Sequence, residues 1–293
     1  MEIKLGTRDS LLASTQSTWI KNYIESQNSN IHIELEYIKT QGDLNQNQSF
    51  SRIGSQGLFT KELDLALLDH RIDLAVHSLK DLPSSMPKGI EMIAVSSCID
   101  ERDAWISTKH SFEDAKKNAL CIGTASVRRS RLIEEQCPKS FVKMIRGNVD
   151  TRLKKLHDGE CDVLLLASAG LKRLGIEHHI REHLQASIFV PAIGQGRLAL
   201  CIRSSDTDLG QKLQKLFSPR DLLLAQIEKK FLASFGGGCS IPLGAIAKFE
   251  HDHISFSAYY YHEEKKEHRR QSIVLDPSQY IEDLQNFSLK LRA

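Results

Sequence analysis

The sequence lacks the residue spacing of zinc sites and disulfide frameworks. Its six cysteines are scattered over 293 residues without any CxxC pair, a distribution that favours reduced thiols. The histidines at 178–179, 251 and 253 have no cysteine or carboxylate partner at ligand spacing. We therefore predict neither structural disulfides nor a metal site.

The sequence also lacks long apolar runs and any strong excess of charge. No run approaches the ~20 residues that a membrane-spanning helix needs, and the first residues, MEIKLGTRDS, do not resemble a secretion signal. The net charge is only +2 and aromatic residues make up 6%, which argues against a nucleic-acid-binding protein. We expect a cytoplasmic protein that binds neither membranes nor nucleic acids.

Short apolar runs alternate with helical patterns through the first two-thirds of the chain, which predicts doubly wound α/β sheets. Two pairs of segments share a plan: IKLGTRDSLLA resembles CIGTASVRRSRL, and DLAVHSLK resembles DVLLLASAGLK. We therefore predict two α/β domains of like topology that face each other across a cleft. The last quarter alternates like antiparallel strands and predicts a small α+β domain, in which residues 263–270 form a solvated hairpin.

Residues 73–83, DLAVHSLKDLP, combine a short apolar run with a cluster of polar side chains. The run ends at His77 and Ser78, and Lys80 and Asp81 follow. Ligands of open α/β sheets bind beyond the carboxyl ends of the strands, so a cation and a carboxylate at this point indicate a site. The alternative is a solvated turn before Pro83.

Arginines recur in the turns that precede helices and at predicted strand ends. They are Arg8, Arg128, Arg129, Arg146, Arg152 and Arg173. Each alone would be an ordinary surface residue. Because helix N-termini favour anions and guanidinium groups pair bidentately with carboxylates, the set predicts a site for a small molecule with several carboxylates.

A glycine loop, SFGGGCSIPL, carries Cys239. Three preceding glycines would let the backbone approach a ligand closely and leave the sulfur exposed. The alternative is a buried, inert thiol, the commonest fate of a cysteine.

In this order, the motifs closely resemble those of the porphobilinogen deaminase (hydroxymethylbilane synthase) family. The matching segments cover nearly the whole chain: GTRDSLLASTQ, GLFTKEL, DLAVHSLKDLP, ERDAW, GTASVRRSRL, RGNVDTRLKKL, LLLASAGLKRLG, PAIGQG and GGGCSIPLG. The resemblance implies two α/β domains built like periplasmic binding proteins and a third, small α+β domain. Their expected extents are residues 1–96 with 197–216, residues 101–192, and residues 219–293.

The resemblance implies a monomeric transferase of tetrapyrrole and haem biosynthesis. Its cofactor would be dipyrromethane, bound covalently through a thioether to Cys239. Such an enzyme condenses four porphobilinogen molecules head to tail onto this primer, releases ammonia each time, and hydrolyses off hydroxymethylbilane.

The resemblance also implies roles for individual residues. Asp81 matches the catalytic carboxylate. Cofactor and substrate binding would fall on Arg8, Ser10, Ser78, Lys80, Thr124, Ser126, Arg128, Arg129, Arg146, Asn148, Arg152, Arg173 and Gln195. Every pyrrole unit carries an acetate and a propionate, so the growing chain accumulates negative charge that the arginines would balance.

The chain departs from the family pattern at several positions. Gln56 stands where the family has a lysine that contacts pyrrole carboxylates, and Arg197 and Cys201 replace a small residue and a glutamate. Ala125 replaces a serine and Gly236 an acidic residue. The catalytic carboxylate and the cofactor cysteine are both kept, so an active enzyme is expected, and Arg197 would partly compensate for Gln56 if it faces the cleft.

Other functions stay open at this point. A divergent, weakly active or non-catalytic family member would hold a polycarboxylate on the same fold. A cysteine hydrolase would need a histidine base near Cys239, and only His77 stands at a comparable strand end. An arginine-rich nucleic-acid binder is disfavoured by the near-neutral charge.

Overall fold

The computed structural model describes residues 1–39, 60–237 and 241–293. These residues divide into two compact units. Unit 1 comprises Met1–Ile99 and Arg197–Gln226, and unit 2 comprises Asp100–Gly196 and Ile227–Ala293. Gln56 and Cys239, both singled out from the sequence, lie outside the described residues, and the division into three domains stays a prediction.

Strands and helices alternate through most of the described chain. In order they are β1 (Glu2–Arg8), α1 (Leu11–Gln27), β2 (His32–Ile38), α2 (Lys61–Leu68), β3 (Leu74–Ser78), β4 (Ile90–Val95), β5 (Asp103–Ile106), α3 (Phe112–Lys117), β6 (Cys121–Gly123), α4 (Val127–Gln136), β7 (Phe141–Lys143), α5 (Val149–His157), β8 (Val163–Ala167), α6 (Ser168–Arg173), β9 (Glu182–His183), β10 (Leu198–Arg203), α7 (Thr207–Gln214), α8 (Pro219–Ser234), β11 (Leu243–Glu250), β12 (His253–His262), β13 (Glu267–Leu275) and α9 (Tyr280–Arg292). Short 3₁₀ turns occupy Leu79–Asp81 and Glu177–His179. Of the helices in the described ranges, none is both long and apolar enough to cross a bilayer.

Unit 1 is a sheet with helices on both faces. Within the described residues its strand order is β2-β1-β3-β10-β4, with β1, β2 and β3 parallel and β10 antiparallel to β3 and β4. Successive residues of β3 point to opposite faces. Leu74 and Val76 pack in a core cluster with Ile20 of α1, whereas Ala75 packs in a second cluster with Leu63 of α2. Burial on both faces explains why the first three residues of β3 are all apolar.

The sheet of unit 2 repeats this plan. Its order in the described residues is β7-β6-β8-β5-β9, with β6, β7 and β8 parallel and β5 antiparallel to β8 and β9. Leu132 of α4 packs with Trp105 on one face, and Leu171 of α6 packs with Leu164 on the other. The prediction of two α/β sheets of like topology is confirmed, although each sheet includes an antiparallel strand.

The C-terminal part of unit 2 is a three-stranded antiparallel sheet, β11-β12-β13, covered by α9. Phe287 of α9 and Phe231 of α8 meet Phe256 of β12 with ring centroids 5.6 and 5.1 Å away. Tyr259 and Tyr261 join the core cluster around Trp105. The predicted α+β C-terminal region and the hairpin between β12 and β13 are confirmed.

The strand β5 is a strand that the sequence pattern does not predict. Its four residues are all buried, but they follow the charged run Asp100–Arg102, which resembles a domain boundary. Three of them are Ala104, Trp105 and Ile106, an apolar run too short to assign to a strand by periodicity.

Gly6 lets β1 pass close to the core beneath α2. A Cβ at Gly6 would lie 2.3 Å from Ile72 Cδ1 and 2.9 Å from Leu63 Cδ2. The close packing of Gly6 against Ile72 and Leu63 positions β1 relative to this core. Because Arg8 follows two residues later, the same packing helps to position the end of the strand.

We expect Gly6→Ala to lower the free energy of unfolding by about 1–3 kcal/mol through overpacking, measured by urea denaturation. Ile72→Val removes the Cδ1 atom that the new methyl group would strike and should by itself cost about 1 kcal/mol. The double variant should be more stable than the sum of the two single losses predicts. Additive losses would show that overpacking against Ile72 is not the cause.

Candidate active site

In unit 1, two sequence-predicted binding segments reach the same edge of the sheet. Strands β1 and β3 are parallel neighbours, with Leu5 opposite Leu74 and Gly6 opposite Ala75. Their carboxyl ends, Arg8 and Ser78, therefore meet at one edge. Open α/β sheets bind ligands at such an edge.

Ser10 and Ser78 are both tied to helix α1 at this edge. Ser10 is the N-cap of α1, and its hydroxyl accepts the Ala13 N–H at 3.4 Å. The buried Gln16 of α1 donates from Nε2 to Ser78 Oγ at 3.0 Å. Gln16 has no role in the sequence reasoning, although it lies inside the quoted motif GTRDSLLASTQ.

Lys80 and Asp81 lie on the 3₁₀ turn that follows β3. The apolar side chains of Leu79 and Leu82 are buried at 0% and 2% exposure and anchor the turn on both sides. The Leu79 N–H donates to the Arg197 carbonyl at 3.0 Å. Lys80 and Asp81 themselves are half-buried, so a rigid turn presents both charged groups at the surface of unit 1.

His77 is a buried neutral histidine at this edge. Burial, and secondarily the charge of Arg8, lower the pKa of His77 to about 4. In the described part of the chain its Nε2 has no hydrogen-bond partner. The charges at this edge therefore come from Arg8, Lys80 and Asp81.

In unit 2, the parallel strands β6, β7 and β8 bring another set of predicted residues to one edge. Thr124 follows β6 and is buried, and its hydroxyl accepts the Ser126 N–H at 3.2 Å. Ser126 is the N-cap of α4 and accepts the Arg129 N–H at 3.4 Å. The predicted Gly-Thr turn before an N-cap serine is thus present.

The loop after β7 carries Arg146 and Asn148. Gly147 between them has φ of +118°, a conformation that side chains rarely adopt. Two cations hold the loop carbonyls: Arg152 Nε donates to Gly147 O at 2.6 Å and Lys155 Nζ to Arg146 O at 3.2 Å. Arg152 therefore supports the loop as well as lying half-buried near it.

Arg128 and Arg129 converge on Asp103, the first residue of β5. Nη1 and Nη2 of Arg128 donate to the two carboxylate oxygens at 2.8 and 3.2 Å. Arg129 donates from Nε and Nη2 to Oδ1 at 3.0 and 2.7 Å. The exposure of Asp103, Arg128 and Arg129 is 0%, 3% and 6%. We call these three side chains the arginine cluster.

Gln195 adds further hydrogen bonds to the arginine cluster. Its Nε2 donates to Asp103 Oδ1 at 2.9 Å and to the Glu101 carbonyl at 2.7 Å, and its Oε1 accepts from Arg129 Nη2 at 3.3 Å. Arg173 Nη2 donates to the carbonyl of the next residue, Gly196, at 2.7 Å. The segment PAIGQG is therefore held by residues from β5, α4 and α6.

The arginine cluster carries an excess of positive charge. Burial alone would raise the pKa of the Asp103 carboxyl, but Arg128 and Arg129 outweigh this effect and hold the pKa well below its usual range. One carboxylate thus faces two guanidinium groups. In the described chain, the buried Arg128 Nε has no hydrogen-bond partner. Such a surplus suits an anionic ligand.

Asp103 has no role predicted from the sequence. It lies in the quoted motif ERDAW but receives no role there. The sequence signal for its role is an acidic residue at the start of a short apolar run. If such a residue is buried with the run, it needs a partner of opposite charge, because a charged residue is fully buried only when it is paired. The partners, Arg128 and Arg129, are adjacent in the next quoted motif.

Two positions that depart from the family pattern lie inside unit 1. Arg197 is 7% exposed and forms an ion pair with Asp221, which also accepts from Ser97 Oγ at 2.8 Å. The charge of Arg197 is thereby balanced within unit 1. Cys201 is buried in the core cluster with Ala75.

Two family models match the chain. The model described as "Porphobilinogen deaminase, dipyromethane cofactor binding domain" matches residues 3–211, and the one described as "Porphobilinogen deaminase, C-terminal domain" matches residues 222–284. The chain belongs to the porphobilinogen deaminase family. The resemblance seen in the sequence motifs is confirmed, and the matched domain identifies dipyrromethane as the family's cofactor.

Curated porphobilinogen deaminases are similar to this chain over most of their length. The protein of Syntrophomonas wolfei is 40% identical over 249 residues, 85% of this chain and 81% of that protein. The protein of Bacillus mycoides is 38% identical over 282 residues, 95% of this chain and 91% of that protein. Among solved structures, a substrate-binding protein of an amino acid ABC transporter has a TM-score of 0.39 at 15% identity, covering 80% of this chain and 95% of that one.

The arginine cluster fits the family's cofactor. Dipyrromethane built from two substrate units carries four carboxylates, and the cluster offers a surplus guanidinium charge in a unit that also holds the half-buried Arg146, Arg152 and Arg173. The cysteine proposed for its attachment, Cys239, lies outside the described residues.

The buried His77 predicts a pH dependence of stability. The unfolded chain binds a proton at this histidine near pH 6.5, whereas the folded protein binds it only near pH 4. Between these values the unfolded state holds more protons, so stability falls as the pH falls. The shift corresponds to about 3 kcal/mol of unfolding free energy lost between pH 7 and pH 4.

Urea denaturation of the wild type and of His77→Gln across this range tests the point. The wild type should lose about 3 kcal/mol more than the variant. His32→Gln, an exposed histidine of the same unit, is the control and should follow the wild type. Parallel curves for the wild type and His77→Gln would contradict the assignment.

Proposed function

We propose that this protein is a porphobilinogen deaminase that condenses four porphobilinogen molecules head to tail onto a dipyrromethane primer and hydrolyses off hydroxymethylbilane. The observation that carries the proposal is the buried arginine cluster, with its surplus positive charge, inside a domain that matches the family's cofactor-binding domain. Substrate and product are polycarboxylates, so the charge of the site matches that of the ligand.

Residues of unit 2 would bind the carboxylates of the primer, of the growing chain and of porphobilinogen. Arg128 and Arg129 are rigid because they are bonded to Asp103, whereas Arg146, Arg152 and Arg173 lie half-buried around the same sheet edge. Polar contacts would come from Thr124, Ser126, Asn148 and Gln195. Fixed guanidinium groups bind carboxylates with little loss of side-chain entropy.

Residues of unit 1 would bind and activate the incoming substrate. Arg8 and Lys80 supply the positive charge for its carboxylates, and Ser10 and Ser78 supply hydroxyl groups. When bound, dipyrromethane supplies the nucleophilic pyrrole carbon to which the first substrate is joined.

Asp81 would be the catalytic carboxylate. Its carboxylate would face the cationic azafulvene that forms when the carbon–nitrogen bond of porphobilinogen breaks and ammonia leaves. After the carbon–carbon bond has formed, the same carboxylate takes up the proton that the pyrrole carbon loses. The turn that Leu79 and Leu82 anchor keeps this group in one position.

The protein is proposed to act in the cytoplasm as a monomer. Within the described residues, Cys121, Cys137 and Cys161 are free thiols, which supports a reducing compartment. Burial raises the pKa of both Cys137 and Cys161 to about 11. These two thiols are therefore poor nucleophiles, and Cys239 is the proposed site of attachment.

We expect Asp81→Asn to keep the fold and to lower turnover of porphobilinogen about 10²–10⁴-fold, the range for loss of a general acid–base group. Turnover is measured as ammonia release and tetrapyrrole formation. Asp69→Asn, an exposed carboxylate at the end of α2, is the matched control and should retain activity. Near wild-type turnover of Asp81→Asn would exclude this role.

We expect the purified wild type to exceed its polypeptide mass by two linked pyrrole units, and Cys239→Ala to lack this excess. Intact mass under denaturing conditions measures both, with Cys121→Ala as the thiol control that keeps the excess. A wild type without the excess should gain it when porphobilinogen is added. A chain that gains no mass would be a non-catalytic binder.

A further inference from the structure

Glu228 is a buried carboxylate that joins two backbone segments of unit 2. It lies on α8 and is 3% exposed. Its Oε2 accepts the Gly194 N–H at 2.7 Å and its Oε1 accepts the Ala247 N–H at 3.0 Å. Burying a carboxylate is costly unless hydrogen bonds compensate for its lost hydration, so the positions of these two amides are closely coupled to that of the carboxylate.

The first segment leads to the arginine cluster through Gln195. Gly194 and Gly196, on either side of Gln195, have φ of +77° and +94°, a conformation that leaves the backbone tightly turned and favours glycine. The Gly194 amide therefore determines where the Gln195 side chain begins. That side chain bonds to both Asp103 and Arg129.

The second segment, β11, reaches the arginine cluster from another direction. A Cβ at Gly244 would lie 2.6 Å from Val190 O and 3.0 Å from Arg128 Cδ. Val190 O in turn accepts from Arg128 Nη1 at 2.8 Å. The position of β11, held at Ala247 by Glu228, thus limits the space available to Arg128.

We propose that Glu228 is a positioning residue for the arginine cluster: by holding Gly194 and Ala247 it places Gln195 and β11 against Arg129 and Arg128, and so determines how tightly the protein binds the carboxylates of porphobilinogen. The substrate named here rests on the proposed function. The geometric part of the proposal, that Glu228 orders the Gly194–Gln195 turn, is independent of the proposed function.

Charge and geometry predict opposite effects of the change Glu228→Gln. Removing a negative charge near the arginine cluster would by itself strengthen its attraction for anions. A glutamine amide, however, cannot accept hydrogen bonds on both sides, so it loses the hold on Gly194 or on Ala247. A positioning role therefore predicts weaker binding in spite of the more favourable charge.

The test compares Glu228→Gln, Glu228→Asp and the control Gln226→Ala, an exposed residue of the same helix. Hydrogen–deuterium exchange of the segments around Gly194 and Ala247 should be faster in both Glu228 variants, roughly tenfold for the loss of one hydrogen bond to a charged group. The KM for porphobilinogen should rise by a similar factor while kcat changes less. Gln226→Ala should match the wild type in all three quantities.

A double-mutant cycle with Gln195→Ala separates positioning from a general loss of stability. If Glu228 acts largely through Gln195, Glu228→Gln should raise KM much less in the Gln195→Ala background than in the wild type. Glu228→Asp keeps the charge but shortens the side chain, so it should also raise KM, and it serves as the test if the glutamine variant does not fold.

Three results would overturn the proposal: an unchanged exchange rate at Gly194, a lowered KM in Glu228→Gln, or an equal increase in KM with and without Gln195. A wild type that does not turn over porphobilinogen would refute the proposed function instead. In that case the exchange measurements still decide whether Glu228 orders the turn.

Discussion

The bonding of two guanidinium groups to the buried Asp103 carboxylate is the interaction on which the candidate site of unit 2 depends. Taking three charges out of water is costly, and hydrogen bonds among these groups, to Gln195 and to the Val190 and Leu165 carbonyls offset that cost. The bonds require β5, α4 and the Gly194–Gly196 turn to hold one arrangement. The same requirement that orders this region leaves one positive charge unbalanced, and this surplus suits the binding of a polycarboxylate.

Unit 1 positions its charged groups by a different means. Arg8 and Lys80 are half-buried. The neighbouring His77 is neutral because it is buried beside Arg8. Buried leucines hold the turn that carries Lys80 and Asp81. These apolar contacts fix the position of Asp81, the proposed catalytic carboxylate. A rigid cationic site and a separate acid–base group match the two needs of the proposed chemistry.

The sequence predicts much of this arrangement because both sheets use strong local signals. The apolar run at residues 163–167 coincides with β8, and the run at residues 90–95 coincides with β4. Parallel strands bring their carboxyl ends to one edge, so polar residues that follow them can be grouped without coordinates. Pairings between distant residues leave no such local signal. The sequence pattern therefore predicts no role for Asp103 or Glu228, since each bonds to residues at least 19 positions away.

By itself, the sequence determined the family, the α/β class and the candidate residues, because ordered motifs, strand periodicity and N-cap serines are local features that can be read along the chain. Only the tertiary structure decided which arginines are buried and what they bond to. In the sequence, Arg128 and Arg129 cannot be distinguished from Arg146 and Arg173. In the structure the first two are buried and bonded to Asp103, whereas the other two are half-buried. That difference arises from burial and from long-range hydrogen bonds, which depend on how β5, α4 and the Gly194–Gly196 turn pack together.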